Sequence, residues 1–317
     1  MQLQALLAQV IVGISNGMLL FILAAGLTLI FGVLRLINFA HGSLYMLGAY
    51  WATSVGAFLG ARWGFWGALL IVPLAVAGVG WLLETQLFKR IYAREHLLQL
   101  LLTYGITLIM GDVIRMVYGG AVYRLDRPQL LRGSIPLTLA PDFTLRILTY
   151  DVFLMGCGVL MSVGLWVFIQ RTRYGRTIRA AVANREILGA LGVHVDRVYT
   201  LTFLLGAWLA GLAGVLAAGR SSVSLGMDSA IIVQAFAIVV IGGLGSIPGA
   251  LLGSLVVGLT LSLGLVLTPP LQTQLNTTFP ALAPWIMPLF SPSALPFWAM
   301  ALILIVRPRG LFNHASD

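Results

Sequence analysis

Long apolar segments follow one another through almost the whole chain and limit what it can fold into. A helix needs about 20 mostly apolar residues to cross the hydrocarbon core of a bilayer. Nine segments approach this requirement: 11–34, 37–58, 64–83, 97–118, 150–170, 198–219, 230–246, 247–268 and 290–306. The seventh is short and the last contains several prolines, so we predict eight to ten crossings. The fold class is an all-α integral membrane protein, with 1–317 as a single transmembrane domain.

The scarcity of charge supports this fold class and excludes others. Charged residues make up 9% of the chain and hydrophobic residues 59%, whereas an ordinary globular protein has about 25% charged residues. So few ionisable side chains cannot cover a water-soluble surface. The net charge of +9 is therefore not taken as a sign of nucleic-acid binding, and soluble enzymes and disordered proteins are excluded.

The arginines predict how the chain is oriented. Lys and Arg are enriched in cytoplasmic loops. Placing the loop 171–197 in the cytoplasm, and alternating the spans outward from it, puts 12 of the 19 cations on the cytoplasmic side. Four of the remaining seven lie in a long outer loop, 119–149. With nine crossings, the N-terminus is outside and the C-terminus inside.

Two polar segments interrupt the apolar pattern, at 37–43 and 242–249. The first contains Asn38, His41 and Gly42, and the second contains Gly242, Gly243 and Gly245. Glycine frees the backbone and proline cannot continue a helix. Paired interruptions of spans are typical of a translocation pathway, because non-helical backbone at membrane depth must be buried or line a cavity. The alternative is that each segment is a short cytoplasmic turn between two spans.

Individual polar residues within the spans have two interpretations each. Asn38 and His41 are suited to bind a polar substrate, or else to cap the next helix and bond between helices. Gln234 must face protein or a cavity rather than lipid. Asp112 and Arg115 lie three positions apart on one helix, which favours a local ion pair over a substrate site.

The loop 171–197 is too polar to span the membrane. Residues 177–191 have the apolar spacing of a short helix, with Ile178, Ala181, Val182, Leu188 and Leu191 on one face. Gly192 is suited to end that helix. Such a helix lies on anionic lipid or docks a cytoplasmic partner.

Four blocks of sequence resemble one known family. They are GLTLIFGVLRLINFAHGSLYMLGAY (26–50), the stretch from RTRYGRTIRAAVANREILGALGVHVDR to LAGVL (171–216), AFAIVVIGGLGSIPGALLG (235–253) and LILIVRPRGLF (302–312). They are similar to the permease subunits of branched-chain amino acid ABC transporters. The INFAHG block, with no longer N-terminal extension, is more similar to the H-type permease than to its M-type partner.

This resemblance implies a multi-pass subunit of the bacterial cell inner membrane. The partners it implies are a second permease subunit, two cytoplasmic ATP-binding subunits and a periplasmic substrate-binding protein. The loop then carries a degenerate coupling motif in which Glu186 and Gly192 keep the family spacing. The residues assigned to ATPase coupling are Arg176, Arg179, Asn184, Glu186, Leu188 and Gly192.

We expect no catalytic residue, no metal site and no cofactor in this subunit. A nucleotide-binding P-loop needs Gly-Lys-Ser/Thr, and the single lysine, Lys89, follows Phe88. Two other classes, ion-coupled carriers and intramembrane hydrolases, lack the isolated carboxylate or the catalytic motif that they require. Branched-chain amino acids are the expected substrates. Urea, short amides and aromatic or aliphatic acids remain alternatives, because the binding protein largely sets selectivity in this family.

Overall fold

The computed structural model describes residues 2–92, 94–140, 143–280 and 282–312, and most of them are helical. The helices are α1 (Gln2–Leu34), α2 (Ala40–Gln86), α3 (His96–Tyr118), α4 (Thr149–Arg171), α5 (Arg173–Ala183), α6 (Arg185–Ala190), α7 (Val195–Arg220), α8 (Met227–Gly242), α9 (Ile247–Thr278), α10 (Ala283–Ile286) and α11 (Leu295–Val306). Three single 3-10 turns lie at Phe88–Arg90, Gln129–Leu131 and Met287–Phe290. The predicted all-α membrane fold is confirmed.

The strands of the described chain, β1 (Ser134–Ala140) and β2 (Phe143–Leu148), form one antiparallel pair. They occupy the segment predicted to be a long outer loop, and the sequence analysis did not predict them. β2 leads directly into α4, and α4 ends next to α5. These two elements therefore mark opposite ends of the molecule, which we call the β1–β2 end and the α5–α6 end.

Six described helices are long and apolar enough to cross a membrane, or seven if Ala283–Phe290 and Leu295–Val306 form one bent span. This count is below the predicted eight to ten for two reasons. The predicted spans 37–58 and 64–83 are both part of α2, and α8 has only 16 residues, fewer than the about 20 that a full crossing requires.

α2 is two helical arms joined by a sharp turn at Gly60. Its 47 residues would extend about 70 Å if straight, more than twice the hydrocarbon thickness. At Gly60 the backbone has φ 72° and ψ 177°, which a residue with a side chain adopts only with strain. A Cβ at Gly64 would lie 2.9 Å from Gly56 Cα, so the arms 40–59 and 61–86 run back along each other. The two predicted spans are therefore present within one element.

α1 and α7 form the centre of the bundle. In their most apolar stretches 83% and 78% of the residues are buried, against 22% in α3 and 17% in α4. Small residues allow this close packing: a Cβ at Gly48 of α2 would lie 2.9 Å from Gly211 Cα of α7. The exposed sides of α3 and α4 carry large apolar residues, including Met116 and Leu160, as lipid-facing or subunit-facing helices do.

α9 is ten residues longer than the span predicted at 247–268. It continues through Pro269 and Pro270 to Thr278, and Thr273 Oγ1 donates 2.9 Å to the Pro269 carbonyl. The remainder of the segment 269–296, for which the sequence pattern had no clear place, contains α10, a 3-10 turn and the first residues of α11.

Candidate functional site

α2 begins deep inside the molecule, next to the middle of α1. α1 ends at Leu34, and residues 35–38 are not helical. The His41 Nε2–H then donates to the Leu23 carbonyl at 3.0 Å. Leu23 precedes the end of α1 by 11 residues, or about 16 Å of helix. The interruption predicted at 37–43 is therefore a length of chain that passes alongside α1 before a new helix starts.

Asn38 is completely buried, and neither atom of its amide has a hydrogen-bond partner within the described structure. The Nδ1 atom of His41 is also buried without a described partner. The predicted alternative that Asn38 caps the next helix is wrong, since the N-cap of α2 is Phe39 and no side chain caps it. The predicted helix-to-helix bond of His41 is confirmed. Buried amide atoms without partners cost about 1–3 kcal/mol.

Gly42 allows α2 to approach α8 closely, because a Cβ there would lie 2.7 Å from the Asp228 carbonyl oxygen. The next residue, Ser43, donates to the Asp228 carboxylate at 3.2 Å. Asp228 is 6% exposed and belongs to the first turn of α8. The sequence analysis missed Asp228, because it precedes the apolar segment predicted at 230–246. An acidic residue just before a span was the available signal.

Gln234 lies on α8, two turns after Asp228, and is half-buried. Its neighbour Val233 is 46% exposed, and Ile37, three residues before α2, is 38% exposed. Phe39 packs on Phe236 with ring centroids 5.1 Å apart. One face of the molecule therefore combines the start of α2 with the exposed side of α8.

The second interruption, at 242–249, is a tight turn between α8 and α9. Gly242 ends α8 and packs directly on the backbone of Gly249. Gly243 and Gly245 have φ of 97° and 86°, a backbone region that favours glycine. The Phe312 amide donates to the Gly242 carbonyl at 3.1 Å. Of the two interpretations of this segment, the geometry is that of a turn between two helices.

The helix predicted at 177–191 is instead two helices, α5 and α6. Asn184 separates them, with an extended backbone of φ −156° and ψ 106°. Ile178, Ala181 and Leu188 are buried as predicted, whereas Val182 and Leu191 are 40% and 75% exposed. The break changes the direction of the chain, so that a single helical face does not persist across it.

Of the other residues assigned to coupling, Arg176 and Arg179 lie on the exposed side of α5. Arg176 is exposed, and the guanidinium of Arg179 donates to the Ile169 carbonyl at the end of α4. Gly192 has φ 80°, and its amide and that of Val193 donate to the carbonyls of Gly189 and Leu188. This pattern is the Schellman motif, so the predicted helix end is confirmed. The backbone of Glu186 belongs to α6, while its side chain lies outside the described part of the structure.

A second buried polar group, absent from the sequence predictions, lies at the β1–β2 end. Arg220 pairs with Asp151 at 3.3 Å and donates to Ser15 Oγ at 2.9 Å, and Ser15 donates to the same carboxylate at 2.8 Å. We call Ser15, Asp151 and Arg220 the ion-pair brace, because it connects α1, α4 and α7. The Arg127 guanidinium stacks on the Tyr150 ring at 4.6 Å and donates to the Arg220 carbonyl. These contacts attach the loop that precedes β1 to the ion-pair brace.

At the α5–α6 end, polar contacts join the end of α2 to the start of α7. The buried Glu84 carboxylate accepts hydrogen bonds from Tyr92 at 3.0 Å and Thr200 at 2.8 Å. Burial and the Glu84 charge raise the pKa of Tyr92 well above its usual value, so its phenol keeps the donating proton. Lys89 pairs with Asp196 at 2.9 Å.

The ion pair predicted between Asp112 and Arg115 is wrong. In the described ranges, ion pairs join Lys89 to Asp196, Arg132 to Asp126 and Arg220 to Asp151. Asp112 and Arg115 are both exposed on α3.

Two described cavities lie at the β1–β2 end, and neither passes through the chain. One, of about 370 Å³, is between the start of α1 and β2. The other, of about 250 Å³, is at the Gly60 turn and the loop 124–126.

Comparison with known proteins gives a consistent family assignment. A family described as the permease component of the branched-chain amino acid transport system matches residues 9–287. The chain is 30% identical over 259 residues to the high-affinity branched-chain amino acid transport system permease protein LivH of Salmonella typhimurium, covering 78% of this chain and 82% of the relative. It is 29% identical over 262 residues to the permease protein BraD of Pseudomonas aeruginosa, with the same coverage.

A second type of permease matches less completely. The permease protein LivM of Escherichia coli K12 is 28% identical over 253 residues, which cover 72% of this chain but 57% of LivM. The greater similarity to LivH agrees with the predicted H-type resemblance. No solved structure matches the chain.

Proposed function

The chain belongs to the permease components of branched-chain amino acid transport systems, and on that premise we propose that it carries branched-chain amino acids across the bacterial inner membrane as half of a two-permease channel. It is a multi-pass transport subunit of an ABC importer. The observation that carries the proposal is the helix pair α5–α6, which offers a docking surface at one end of the bundle.

The docking surface has the composition of a protein contact. Its exposed side combines arginines, among them Arg176 and Arg179, with the apolar side chains of Tyr174 and Leu191, which are 61% and 75% exposed. Its buried side attaches it to the bundle, where Ile178 and Leu188 pack in one cluster with the ends of α1 and α7. An ATP-binding subunit that moves α5–α6 would therefore move α1 and α7 with it.

The same arginines support a cytoplasmic location for the α5–α6 end, in agreement with the positive-inside rule. The β1–β2 end then faces the periplasm, and the substrate-binding protein docks there. We expect two ATP-binding subunits, one for each permease subunit.

We place the pathway on the surface of this chain, where α8 and the start of α2 share a face. A second permease packed against this face would complete the channel. At membrane depth, a non-helical segment such as 35–38 must be buried or line a watery cavity. The half-buried Gln234 lies on the same face.

Transport in liposomes tests the proposal. The chain is reconstituted with its second permease and ATP-binding subunits, and labelled leucine is supplied on the binding protein. We expect Glu186→Lys and Leu188→Pro each to abolish ATP-dependent uptake while the protein remains in the membrane. The matched control is Glu95→Lys, a charge reversal at an exposed position outside α5–α6, which should transport normally. Normal uptake by both coupling variants would contradict the docking role of α5–α6. Uptake without ATP-binding subunits would contradict the assignment of the chain to an ABC importer.

A further inference from the structure

We propose that Asp228, Ser43 and Tyr50 form a binding site for the primary ammonium group of the transported amino acid. The proposal rests on the function proposed above. The site lies on the buried side of α8, and the exposed side of the same helix belongs to the pathway face. These three residues were not among those assigned from the sequence.

The first observation is a carboxylate buried without a cation. Asp228 is 6% exposed and, among the described residues, its carboxylate takes part in no ion pair. Its described side-chain contact is the hydroxyl of Ser43, itself completely buried. The start of α8 favours a negative charge there. One neutral hydroxyl leaves most of the acceptor capacity of the carboxylate unused, since it can accept about four hydrogen bonds.

The second observation is an unused buried hydroxyl on the same side of α2 as Ser43. Tyr50 lies two helical turns after Ser43 on the same face of α2, and it is completely buried. Its phenol oxygen has no hydrogen-bond partner in the described structure, and its ring lies against Tyr123, which pairs with Val223, five residues before Asp228. A buried hydroxyl normally finds a partner, and a ligand N–H would supply one.

The third observation is the aromatic lining next to this hydroxyl. The Tyr50 ring lies 4.8 Å from that of Tyr118 and 5.8 Å from that of Tyr123. Tyr123 pairs with Val223, just before α8, through two backbone hydrogen bonds of 2.9 Å. The tyrosines therefore lie beside the segment that leads into α8 and Asp228. Aromatic rings beside a carboxylate are a common environment for an organic cation.

The depth of the site suits a substrate in transit. Gly42 contacts the backbone of Asp228, and His41 contacts Leu23 in the middle of α1, so Asp228 lies near the level of the middle of α1. A buried ionisable residue at membrane depth commonly marks a transport pathway. A site with a net negative charge favours zwitterionic amino acids and disfavours aromatic or aliphatic acids, which carry only a carboxylate.

Uptake by substituted complexes is the first test. Asp228→Asn should lower the maximal rate of leucine uptake at least about tenfold at saturating binding protein, while half-saturation by the binding protein is unchanged. Asp112→Asn, at an exposed carboxylate of α3 that is likewise outside the described ion pairs, is the matched control and should behave as wild type. Wild-type rates in Asp228→Asn would overturn the inference and leave the transport function intact. Absence of leucine uptake by the wild-type complex would instead overturn the proposed function.

Tyr50→Phe separates ligand binding from folding. The Tyr50 hydroxyl has no described partner, so its removal should keep or raise the unfolding temperature of the complex while lowering leucine uptake. Tyr150→Phe is the contrast, because the Tyr150 hydroxyl donates 2.6 Å to the Leu216 carbonyl and its loss should lower that temperature. Unchanged uptake in Tyr50→Phe, or a loss of stability equal to that of Tyr150→Phe, would overturn the role given to this hydroxyl.

Small probes test the chemistry of the ligand without the binding protein. At millimolar concentration, leucine and 3-methylbutylamine should each raise the unfolding temperature of the permease–ATPase complex by about 2 °C, because a ligand stabilises the state it binds. 4-Methylpentanoate, which lacks the ammonium group, should not, and Asp228→Asn should remove the shift caused by the other two. Equal stabilisation by 4-methylpentanoate, or no stabilisation by either amine, would overturn the inference.

Discussion

Two buried polar groups among the described residues, the ion-pair brace and the group around the start of α2, differ in how completely their atoms are paired. In the ion-pair brace, the Asp151 carboxylate accepts from both Ser15 and Arg220, and Ser15 bonds to both of the others. Around the start of α2, the amide of Asn38 and the hydroxyl of Tyr50 have no described partner. Paired groups stabilise a fold, whereas unpaired buried groups cost stability. The difference distinguishes a structural contact from a site whose polar atoms are free to bind a ligand.

The largest effect is expected from breaking the brace. Arg220→Met leaves the Asp151 carboxylate buried without its cation, and breaking a buried pair costs about 3–5 kcal/mol. We expect a marked fall in the unfolding temperature of the purified complex. Asp151→Asn combined with Arg220→Met should recover much of that loss.

Arg132→Met is the control for the brace, since Arg132 and Asp126 pair at 3.7 Å on an exposed surface. Exposed pairs contribute about 1 kcal/mol or less. An equal fall in unfolding temperature in Arg220→Met and Arg132→Met would show that burial does not increase the contribution of the brace to stability.

A smaller effect of opposite sign is expected at Asn38. Asn38→Leu replaces an unpaired buried amide with an apolar side chain of similar size, so stability should stay the same or rise by about 1 kcal/mol. Leucine uptake should fall if the amide serves the pathway. Thermal unfolding and uptake, measured on the same preparation, distinguish these two properties.

Gln99→Leu is the matched control for Asn38→Leu. The Gln99 amide is also buried, but it donates to the carbonyls of Ile91, Tyr92 and Arg94. This substitution should lower the unfolding temperature. If Asn38→Leu destabilised the protein as much as Gln99→Leu, the contrast between paired and unpaired groups would fail.

The smallest effect is expected for Ser43→Ala. It removes one hydrogen bond to Asp228, which contributes about 0.5–1.5 kcal/mol. We expect leucine uptake to fall less than in Asp228→Asn. Ser262→Ala, which removes a serine bonded to Gln9 at 2.6 Å far from Asp228, should leave uptake unchanged. A larger loss in Ser262→Ala than in Ser43→Ala would contradict the location of the site.

Sequence reasoning predicts the spans well, because membrane thickness sets their length. The predicted 97–118 and 150–170 differ from α3 and α4 by one residue at each end or less. The joining of two spans at Gly60 and the break at Asn184 were not predicted, since both depend on backbone angles that composition does not determine. The apolar face predicted for 177–191 failed at that break.

Polar contacts between distant segments were the least predictable part of the site. Ser15 and Asp151 are 136 positions apart, and Ser15 and Arg220 are 205 apart, so no local pattern relates them. Asp112 and Arg115 had the expected helical spacing but face outward without pairing. His41 was identified because an imidazole within an apolar stretch requires a polar contact wherever it lies.

The central position of α1 has a consequence for how the protein is made. α1 leaves the ribosome before the other described helices, and its neighbours α7 and α9 are synthesised about 160 or more residues later, at about 5–20 residues per second. It must therefore remain in the bilayer for many seconds before its final partners arrive. α1 contains no charged residue, which suits both the lipid that surrounds it first and the helices that surround it later. Ser15 is neutral while it faces lipid, and it acquires its ionic partners only when α4 and α7 have been inserted.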